Sequence, residues 1–230
     1  MADKRIIEQV VSEQYDELAA MSEFKLCSRK EEEQVDLDSN LAQVVIGVRR
    51  SGKSTLCYNV LKAKGEKFAY VNFDDERLDD LTTNDLNTVL EVLYKIYGDF
   101  KYLFLDEIQN IEGWHLFVNR LLRQRLHIIV TGSNAKLLSS ELATHLTGRS
   151  EQIELYPLSF AEWCDCIGVD TKSVTTKAEA TRRAAFDEYL MQGGFPELLH
   201  KKNKTQYVGN LVGNILKRDI EQRHSIKYTD

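Results

Sequence analysis

The segment Gly47–Ser54, which reads GVRRSGKS, has the residue types and the spacing of a phosphate-binding loop. It fits the pattern G-x-x-x-x-G-K-[ST], in which glycines let the backbone approach phosphate oxygens closely. Successive amide N–H groups and the N-terminus of the following helix then face the anion. We expect Lys53 to reach the β and γ phosphates and the Ser54 hydroxyl to bind Mg²⁺. A plain glycine-rich turn is the alternative, but a chance match is rare, on the order of one in a hundred for such a chain. The predicted nucleotide-binding residues of the loop are Gly47, Arg50, Ser51, Gly52, Lys53, Ser54 and Thr55.

Two acidic residues, Asp106 and Glu107, end the apolar segment YLFLDE. Residues 102–105 are typical of a buried parallel strand, and open α/β sheets bind ligands beyond the carboxyl ends of such strands. We expect Asp106 to be a second Mg²⁺ ligand and Glu107 to orient and deprotonate a water molecule that attacks the γ phosphate. In isolation the pair would be interpreted as two solvated acids, but the upstream loop favours the catalytic interpretation.

A third strand ends in the segment TGSNAKLL. If this strand lies between the strands of the other two motifs, Ser133 or Asn134 would direct a polar side chain at the γ phosphate or the attacking water. Asn134 is the candidate that we prefer. The structural alternative is a helix N-cap, because Ser and Asn both suit that position before AKLLSSEL.

Alternating strand and helix patterns must position these motifs. Five β-rich segments, each followed by a helical pattern except the last, predict an α/β three-layer sandwich with a five-stranded parallel sheet. The strands are AQVVIG, FAYVNF, KYLFLDE, HIIVTGS and SEQIELY. After Pro157 the patterns are only helical, in TTKAEATRRAAFDEYLMQ (175–192) and TQYVGNLVGNILKRDIEQRH (205–224), which predicts a small C-terminal lid. We therefore divide the chain into an N-terminal helical segment (1–40), a P-loop core (41–157) and a helical lid (158–230).

The composition narrows the class of protein. With 43% hydrophobic and 29% charged residues, the 230-residue chain has ample material for a packed core and no long apolar run. Its N-terminus carries charges at helical spacing, unlike a secretory signal, so we expect a cytoplasmic location and no membrane association. The net charge of −6 argues against a broad nucleic-acid surface.

The motifs, in this order, resemble those of prokaryotic AAA-type ATPases. The resemblance is carried by GVRRSGKST, VNFDDERL, LFLDEIQNIEGW, VTGSNAKLLSSELATHLTGR, IELYPLSFAEW and GGFPELL, and it runs from about Arg29 to the end of the chain. It implies a P-loop ATPase of the additional-strand, catalytic-glutamate division, related to origin-recognition and STAND ATPases. In that family a restriction-nuclease-like domain follows. Because the sequence ends at RDIEQRHSIKYTD, we expect the chain to be truncated before it.

The resemblance also implies roles for three further residues. Arg149 corresponds to an arginine finger that reaches a neighbouring subunit's γ phosphate, with a contact within the chain or a surface cation as alternatives. Pro196 resembles the lid proline that packs against the base, although a glycine-proline break between helices fits equally well. Arg29 lies where related proteins contact adenine or ribose, but a charge at a helix start would look the same.

We therefore expect an ATPase that uses ATP and Mg²⁺ to drive a conformational change between core and lid, and that could assemble as a homo-oligomer. A nucleotide-gated switch with little hydrolysis would use the same site. A small-molecule phosphotransferase would need an acceptor pocket, for which the sequence shows no motif. DNA or RNA as a partner is implied by kinship alone.

Overall fold

The computed structural model describes residues 3–21, 26–133, 146 and 148–215. The preferred residue Asn134 and the helical pattern after it lie outside these ranges. The chain divides into two units, one formed by Met1–Gly47 with Lys53–Leu155 and the other by Val48–Gly52 with Tyr156–Asp230. Within the described ranges, no helix combines the length and the apolar character needed to cross a bilayer.

The first unit is built on a parallel sheet, to which the described residues contribute five strands. They are β1 (Ala42–Gly47), β2 (Phe68–Asn72), β3 (Tyr102–Asp106), β4 (His127–Ser133) and β5 (Ser150–Leu155). Their order is β2-β3-β4-β1-β5. This confirms the predicted five-stranded parallel sheet. It also meets the condition set for the third motif, because β4 lies between β1 and β3.

Helices cover both faces of this sheet, as predicted. In the first unit they are α1 (Lys4–Met21), α2 (Lys53–Lys64), α3 (Leu86–Tyr97) and α4 (Trp114–Arg123). One core joins α1, α3 and α4 to strand residues such as Val44 and Leu103. A second core joins α2 to the alternate strand residues, such as Val45 and Phe104. This division follows from the two-residue period of a strand, which sends successive side chains to opposite faces.

Helix α1 completes the hydrogen bonding of an edge strand. The Gln14 side chain accepts a hydrogen bond from the Asn72 backbone N–H at 2.9 Å and donates one to the Asn72 carbonyl at 3.0 Å. Gln14 is only 5% exposed, so these contacts are sheltered from water. The side-chain amide thus takes the place that a further strand would occupy beside β2.

The second unit contains α5 (Phe160–Ile167), α6 (Thr176–Gln192) and α7 (Lys204–Ile215) among its described residues. Sequence analysis predicted α6 and α7 but missed α5. This helix is short, and its signal is local: Ser159 and Glu162 form a capping box at its start. It packs through Trp163 and Cys164 against Leu158 and Ala185.

Gly194 is required by close packing in the second unit. A Cβ atom at this position would lie 2.1 Å from the carbonyl oxygen of Leu158. The two residues are also bonded directly, since the Leu158 N–H donates to the Gly194 carbonyl at 2.7 Å. The glycines of GGFPELL therefore allow a turn that packs closely against Leu158, just before α5. Pro196 begins the 3₁₀ helix Pro196–Leu199, which follows this turn.

Candidate active site

The phosphate-binding loop predicted from the sequence connects β1 to α2. Gly47 is the last residue of β1, and Lys53 is the first residue of α2. Between them the backbone enters the left-handed region twice, with φ of 64° at Arg50 and 95° at Gly52. Left-handed residues within a loop turn successive N–H groups toward one side, where they can bind an anion. The strand-loop-helix context that the motif requires is therefore present.

Lys53 lies almost fully buried beside the loop. Its Nζ donates to the Gly47 carbonyl at 3.3 Å and lies 3.5 Å from Glu107 Oε1. The side chain of Lys53 is 4% exposed and that of Glu107 is 14% exposed. Because an isolated buried charge is strongly unfavourable, Glu107 acts as the counter-ion of this lysine. The structure thus brings together the two residues that the sequence assigned to phosphate binding and water activation.

Asp106 ends β3 as a buried carboxylate with several donors around it. The Thr131 hydroxyl donates to Oδ1, and the Tyr70 hydroxyl donates to Oδ2 at 3.3 Å. Burial raises the pKa of the Asp106 carboxyl above its ordinary value, and neighbouring Glu107 raises it further. Hydrogen bonds from Thr131 and Ser54 lower the pKa of the Asp106 carboxyl. A carboxylate desolvated in this way gains from a nearby cation.

The Ser54 hydroxyl and the Asp106 carboxylate form a donor set that fits Mg²⁺. Both are hard oxygen ligands, and they lie within hydrogen-bonding distance of each other. No group of three or more His, Cys, Asp or Glu side chains suited to a metal occurs among the residues that the structure describes. Mg²⁺ usually takes one or two protein carboxylates and completes its shell with phosphates and water.

Glu107 has an unusual backbone conformation. Its φ and ψ are 51° and 37°, in the left-handed region that residues other than glycine seldom adopt. Its N–H donates to the Thr131 hydroxyl at 3.0 Å, and its Oε2 accepts a hydrogen bond from the Gln109 side-chain amide. With Lys53 on the other oxygen, both carboxylate oxygens of Glu107 have a partner.

Arg149 is far from the predicted phosphate site. It precedes β5, and its carbonyl accepts a hydrogen bond from the N–H of Ala42, the first residue of β1. The loop begins at the other end of β1, roughly 16 Å away at the usual rise per residue. The exposed guanidinium donates to Asn119 at 3.2 Å. A contact with the phosphate site of the same chain is therefore not formed.

Arg29 and Pro196 occupy positions that match their structural alternatives. Arg29 is the N-cap residue of the 3₁₀ helix Lys30–Gln34, and its buried guanidinium lies 3.8 Å from Glu31. Pro196 occupies the first turn of its 3₁₀ helix, after the glycine-containing turn. A role for either residue at a nucleotide base stays a prediction.

Arg50 pairs with the 3₁₀ helix of the second unit. Its Nη1 lies 2.7 Å and 2.6 Å from the two carboxylate oxygens of Glu197, and 3.5 Å from the Tyr207 hydroxyl. The guanidinium also lies over the Tyr207 ring, 5.7 Å from its centre. One loop residue predicted to face phosphate is thus bound to an acidic side chain.

Sequence analysis missed three residues that hold the site together. Thr131 and Gln109 bond directly to the two acids, and Glu197 binds Arg50. The segment TGSN indicates the right strand end, but the role was predicted for its last two polar residues, Ser133 and Asn134. The local signal for Thr131 is a polar residue that follows the apolar segment HIIV, two positions before that strand end, and it does not by itself give the partners of the hydroxyl.

Comparison with known proteins gives the family of the chain. A family model described as an AAA domain matches residues 39–164. An uncharacterized protein of Methanocaldococcus jannaschii is 36% identical over 235 residues, which cover 99% of this chain and 52% of the relative. An uncharacterized protein of Haemophilus influenzae is 34% identical over 202 residues, covering 84% of this chain and 49% of the relative. The chain spans about half the length of these curated relatives.

Two solved structures are similar to the chain in fold. The Walker-type ATPase of Pyrococcus abyssi matches with a TM-score of 0.50 at 16% identity, over 87% of this chain and 76% of that one. The ADP complex of Hsp104 from S. cerevisiae matches with a TM-score of 0.55 at 18% identity, over 90% of this chain and 35% of that one. At such identities the likeness shows the fold, and it confirms the predicted P-loop NTPase α/β architecture.

Proposed function

The chain belongs to the AAA domain family, and from this premise we propose that it is a Mg²⁺-dependent ATPase that hydrolyses ATP to ADP and phosphate. One observation carries the proposal. Lys53 of the phosphate-binding loop and Glu107, which follows the buried Asp106, lie 3.5 Å apart. They follow the carboxyl ends of β1 and β3, two strands of one sheet that are separated by β4. A lysine that binds the phosphates and a side chain that orients the attacking water are two recurring parts of sites that hydrolyse a γ phosphate.

Phosphate binding falls to the loop and to Lys53. The loop N–H groups and the N-terminus of α2 would face the phosphate oxygens. Lys53 would exchange its contact with Glu107 for the β and γ phosphates, so that binding replaces one buried counter-ion by another. Ser54 and Asp106 would hold Mg²⁺, which supplies charge neutralisation at the phosphates.

Water activation falls to Glu107. Once Lys53 has turned to the phosphate, the Glu107 carboxylate can accept a proton from a water molecule in line with the γ phosphate. Gln109 would keep one oxygen of this carboxylate hydrogen-bonded during the exchange. Asn134 remains our candidate for contacting the γ phosphate, and we assign the finger role to Arg149 of a neighbouring copy.

The lid would respond to the nucleotide through the loop. We assign residues 41–157 to the ATPase core and 158–230 to the lid, with ATP driving a change between them. The ion pair of Arg50 with Glu197 favours a second candidate function, a nucleotide-gated switch with little hydrolysis. In a switch, the same contact would respond to phosphate binding without turnover.

The test is phosphate release from Mg·ATP, measured together with direct ATP binding, for the wild type and Glu107→Gln. We expect the variant to bind ATP at least as well as the wild type, while its turnover falls by about 10²-fold or more, as for loss of a general base. The control is Glu112→Gln, which changes an exposed glutamate nearby and should leave turnover unaffected.

Other results would separate the candidates. Binding without turnover in the wild type would favour the switch. Equal turnover by Glu107→Gln and the wild type would remove Glu107 from the mechanism. If Lys53→Ala bound ATP as tightly as the wild type, the assignment of the loop itself would be wrong.

A further inference from the structure

Thr131 is a polar residue at the centre of the sheet. It belongs to β4, between β1 and β3, and its side chain has no exposed surface. A hydroxyl buried at such a place is unfavourable unless it is hydrogen-bonded. Both of its hydrogen bonds go to the acidic pair: it donates to Asp106 Oδ1 and accepts from the Glu107 N–H at 3.0 Å.

The first hydrogen bond fixes the Asp106 carboxylate. Thr131 holds one oxygen and Tyr70 the other, so rotation of the carboxylate would break at least one hydrogen bond. A carboxylate that binds a metal is held in one orientation when neighbouring residues hydrogen-bond to it. The Thr131 hydroxyl therefore helps to orient the Asp106 oxygens relative to Ser54.

The second hydrogen bond fixes the backbone of Glu107. The left-handed conformation at this residue is unfavourable and persists only where surrounding contacts maintain it. The Thr131 hydroxyl accepts a hydrogen bond from the backbone N–H of Glu107, the residue in this conformation. This conformation directs the Glu107 side chain toward Lys53 and Gln109. A change at Thr131 would therefore move the catalytic carboxylate without touching it.

We propose that Thr131 is a positioning residue that sets the geometry of Asp106 and Glu107 together through one hydroxyl group. The inference rests on the proposed ATPase function, which supplies the roles of the two acids. It links metal binding to water activation, because both carboxylates depend on the same oxygen atom. Thr131 itself contacts neither nucleotide nor water in this role.

Two substitutions separate the hydroxyl from the shape of the side chain. Thr131→Val keeps the volume and removes the hydroxyl, whereas Thr131→Ser keeps the hydroxyl and removes the methyl group. In Thr131→Val we expect kcat to fall and the Mg²⁺ concentration for half-maximal turnover to rise, each by about 10-fold or more. The KM for ATP should change little, because Lys53 and the loop are intact. Thr131→Ser should restore both quantities to near the wild-type values.

A measurement on the nucleotide-free protein does not depend on activity. Hydrogen exchange at the Glu107 amide should be faster in Thr131→Val than in the wild type, and should return to the wild-type rate in Thr131→Ser. The matched control is Thr181→Val, which removes an exposed threonine hydroxyl on α6. It should change neither turnover nor exchange at Glu107.

The outcomes distinguish this inference from the proposed function. If the wild type hydrolyses ATP and Thr131→Val matches it in kcat, Mg²⁺ dependence and amide exchange, the ATPase stands and the role of Thr131 is wrong. A Thr131→Ser variant as defective as Thr131→Val would assign the effect to packing of the methyl group and also overturn the role. If the wild type itself neither binds nor hydrolyses ATP, the proposed function fails, and the role of Thr131 fails with it.

Discussion

At the scale of single residues, Lys53 and Glu107 neutralise each other inside the first unit. Their 3.5 Å contact brings two nearly buried opposite charges together, which offsets part of the cost of removing both from water. In the proposed mechanism a phosphate group replaces Glu107 as the counter-ion of Lys53.

Gly194→Ala is expected to destabilise the protein. The added Cβ would lie 2.1 Å from a backbone carbonyl, and a backbone atom cannot move aside as a flexible side chain can. Overpacking of this kind costs about 1–3 kcal/mol. The measurement is the free energy of unfolding from urea titration.

Gly209→Ala is the matched control for that prediction. This glycine lies in α7, and a Cβ there would meet no atom within 4 Å. Alanine is favoured over glycine in a helix by about 1 kcal/mol, so this variant should be as stable as the wild type or more so. A Gly194→Ala variant as stable as Gly209→Ala would contradict the packing argument.

Single residues differed in how well the sequence predicted them. Lys53 and Ser54 follow from the loop pattern, and Asp106 and Glu107 follow from the end of an apolar strand. Their partners could not be derived in the same way. The contact of Thr131 with Asp106 spans 25 positions and joins two strands, and it becomes visible only when the strand order is known.

At the scale of elements, one side chain of α1 makes hydrogen bonds to the backbone of β2. Gln14→Leu would leave the N–H and carbonyl of Asn72 without the partners they now have in Gln14. Buried backbone groups that lose a partner cost about 1–3 kcal/mol, and leucine cannot replace either bond. We expect a loss of this size in unfolding free energy, together with faster hydrogen exchange at the Asn72 amide.

Gln9→Leu provides the control on the same helix. Gln9 is exposed, and its side chain bonds only within α1, to Glu13. Its replacement should change the unfolding free energy by less than about 0.5 kcal/mol. If the two variants lost the same stability, the loss would come from the helix itself rather than from its contact with β2.

Element boundaries were largely predictable because periodicity determines them. The sequence placed β1 and β4 at their observed ends, and it placed α6 within one residue of its start. It missed α5, whose eight residues are too few to establish a helical period. The capping box at Ser159 was the better signal there.

At the scale of the whole molecule, the finger role proposed for Arg149 would require a second copy of the chain. Arg149 lies at the amino edge of the sheet, whereas the phosphate-binding loop lies at the carboxyl edge. If Arg149 completes a neighbouring site, turnover per chain should rise with protein concentration. Arg149→Ala should lower turnover by about 10³-fold, the contribution typical of an arginine finger.

Mixing two inactive variants tests the same arrangement. Lys53→Ala lacks its own phosphate site but keeps Arg149, and Arg149→Ala has the opposite defect. Mixed assemblies contain some complete sites, so the mixture should show turnover that neither variant has alone. If Arg149→Ala is as active as the wild type at every concentration, Arg149 is a surface cation.

The global arrangement was predictable in part. Alternating strand and helix patterns predict a parallel sheet with helices on both faces, because parallel strands need crossover connections. These patterns do not give the strand order. The role predicted for the third motif was therefore conditional on its strand lying between the other two. The position of β4 between β1 and β3 required long-range pairing that no local pattern contains.

That pairing also has a consequence for how the chain folds. Strand β1, which leads into the phosphate-binding loop, pairs only with β4 and β5 in the described sheet, and Gln43 meets Glu151 from 108 positions away. At a synthesis rate of about 5–20 residues per second, a nascent chain would hold this apolar strand without partners for several seconds. Such distant contacts slow folding, because a long loop must close before they form. Strand β1 therefore stays unpaired until the residues of β4 and β5 have been synthesised, and we expect it to be prone to aggregation during that interval.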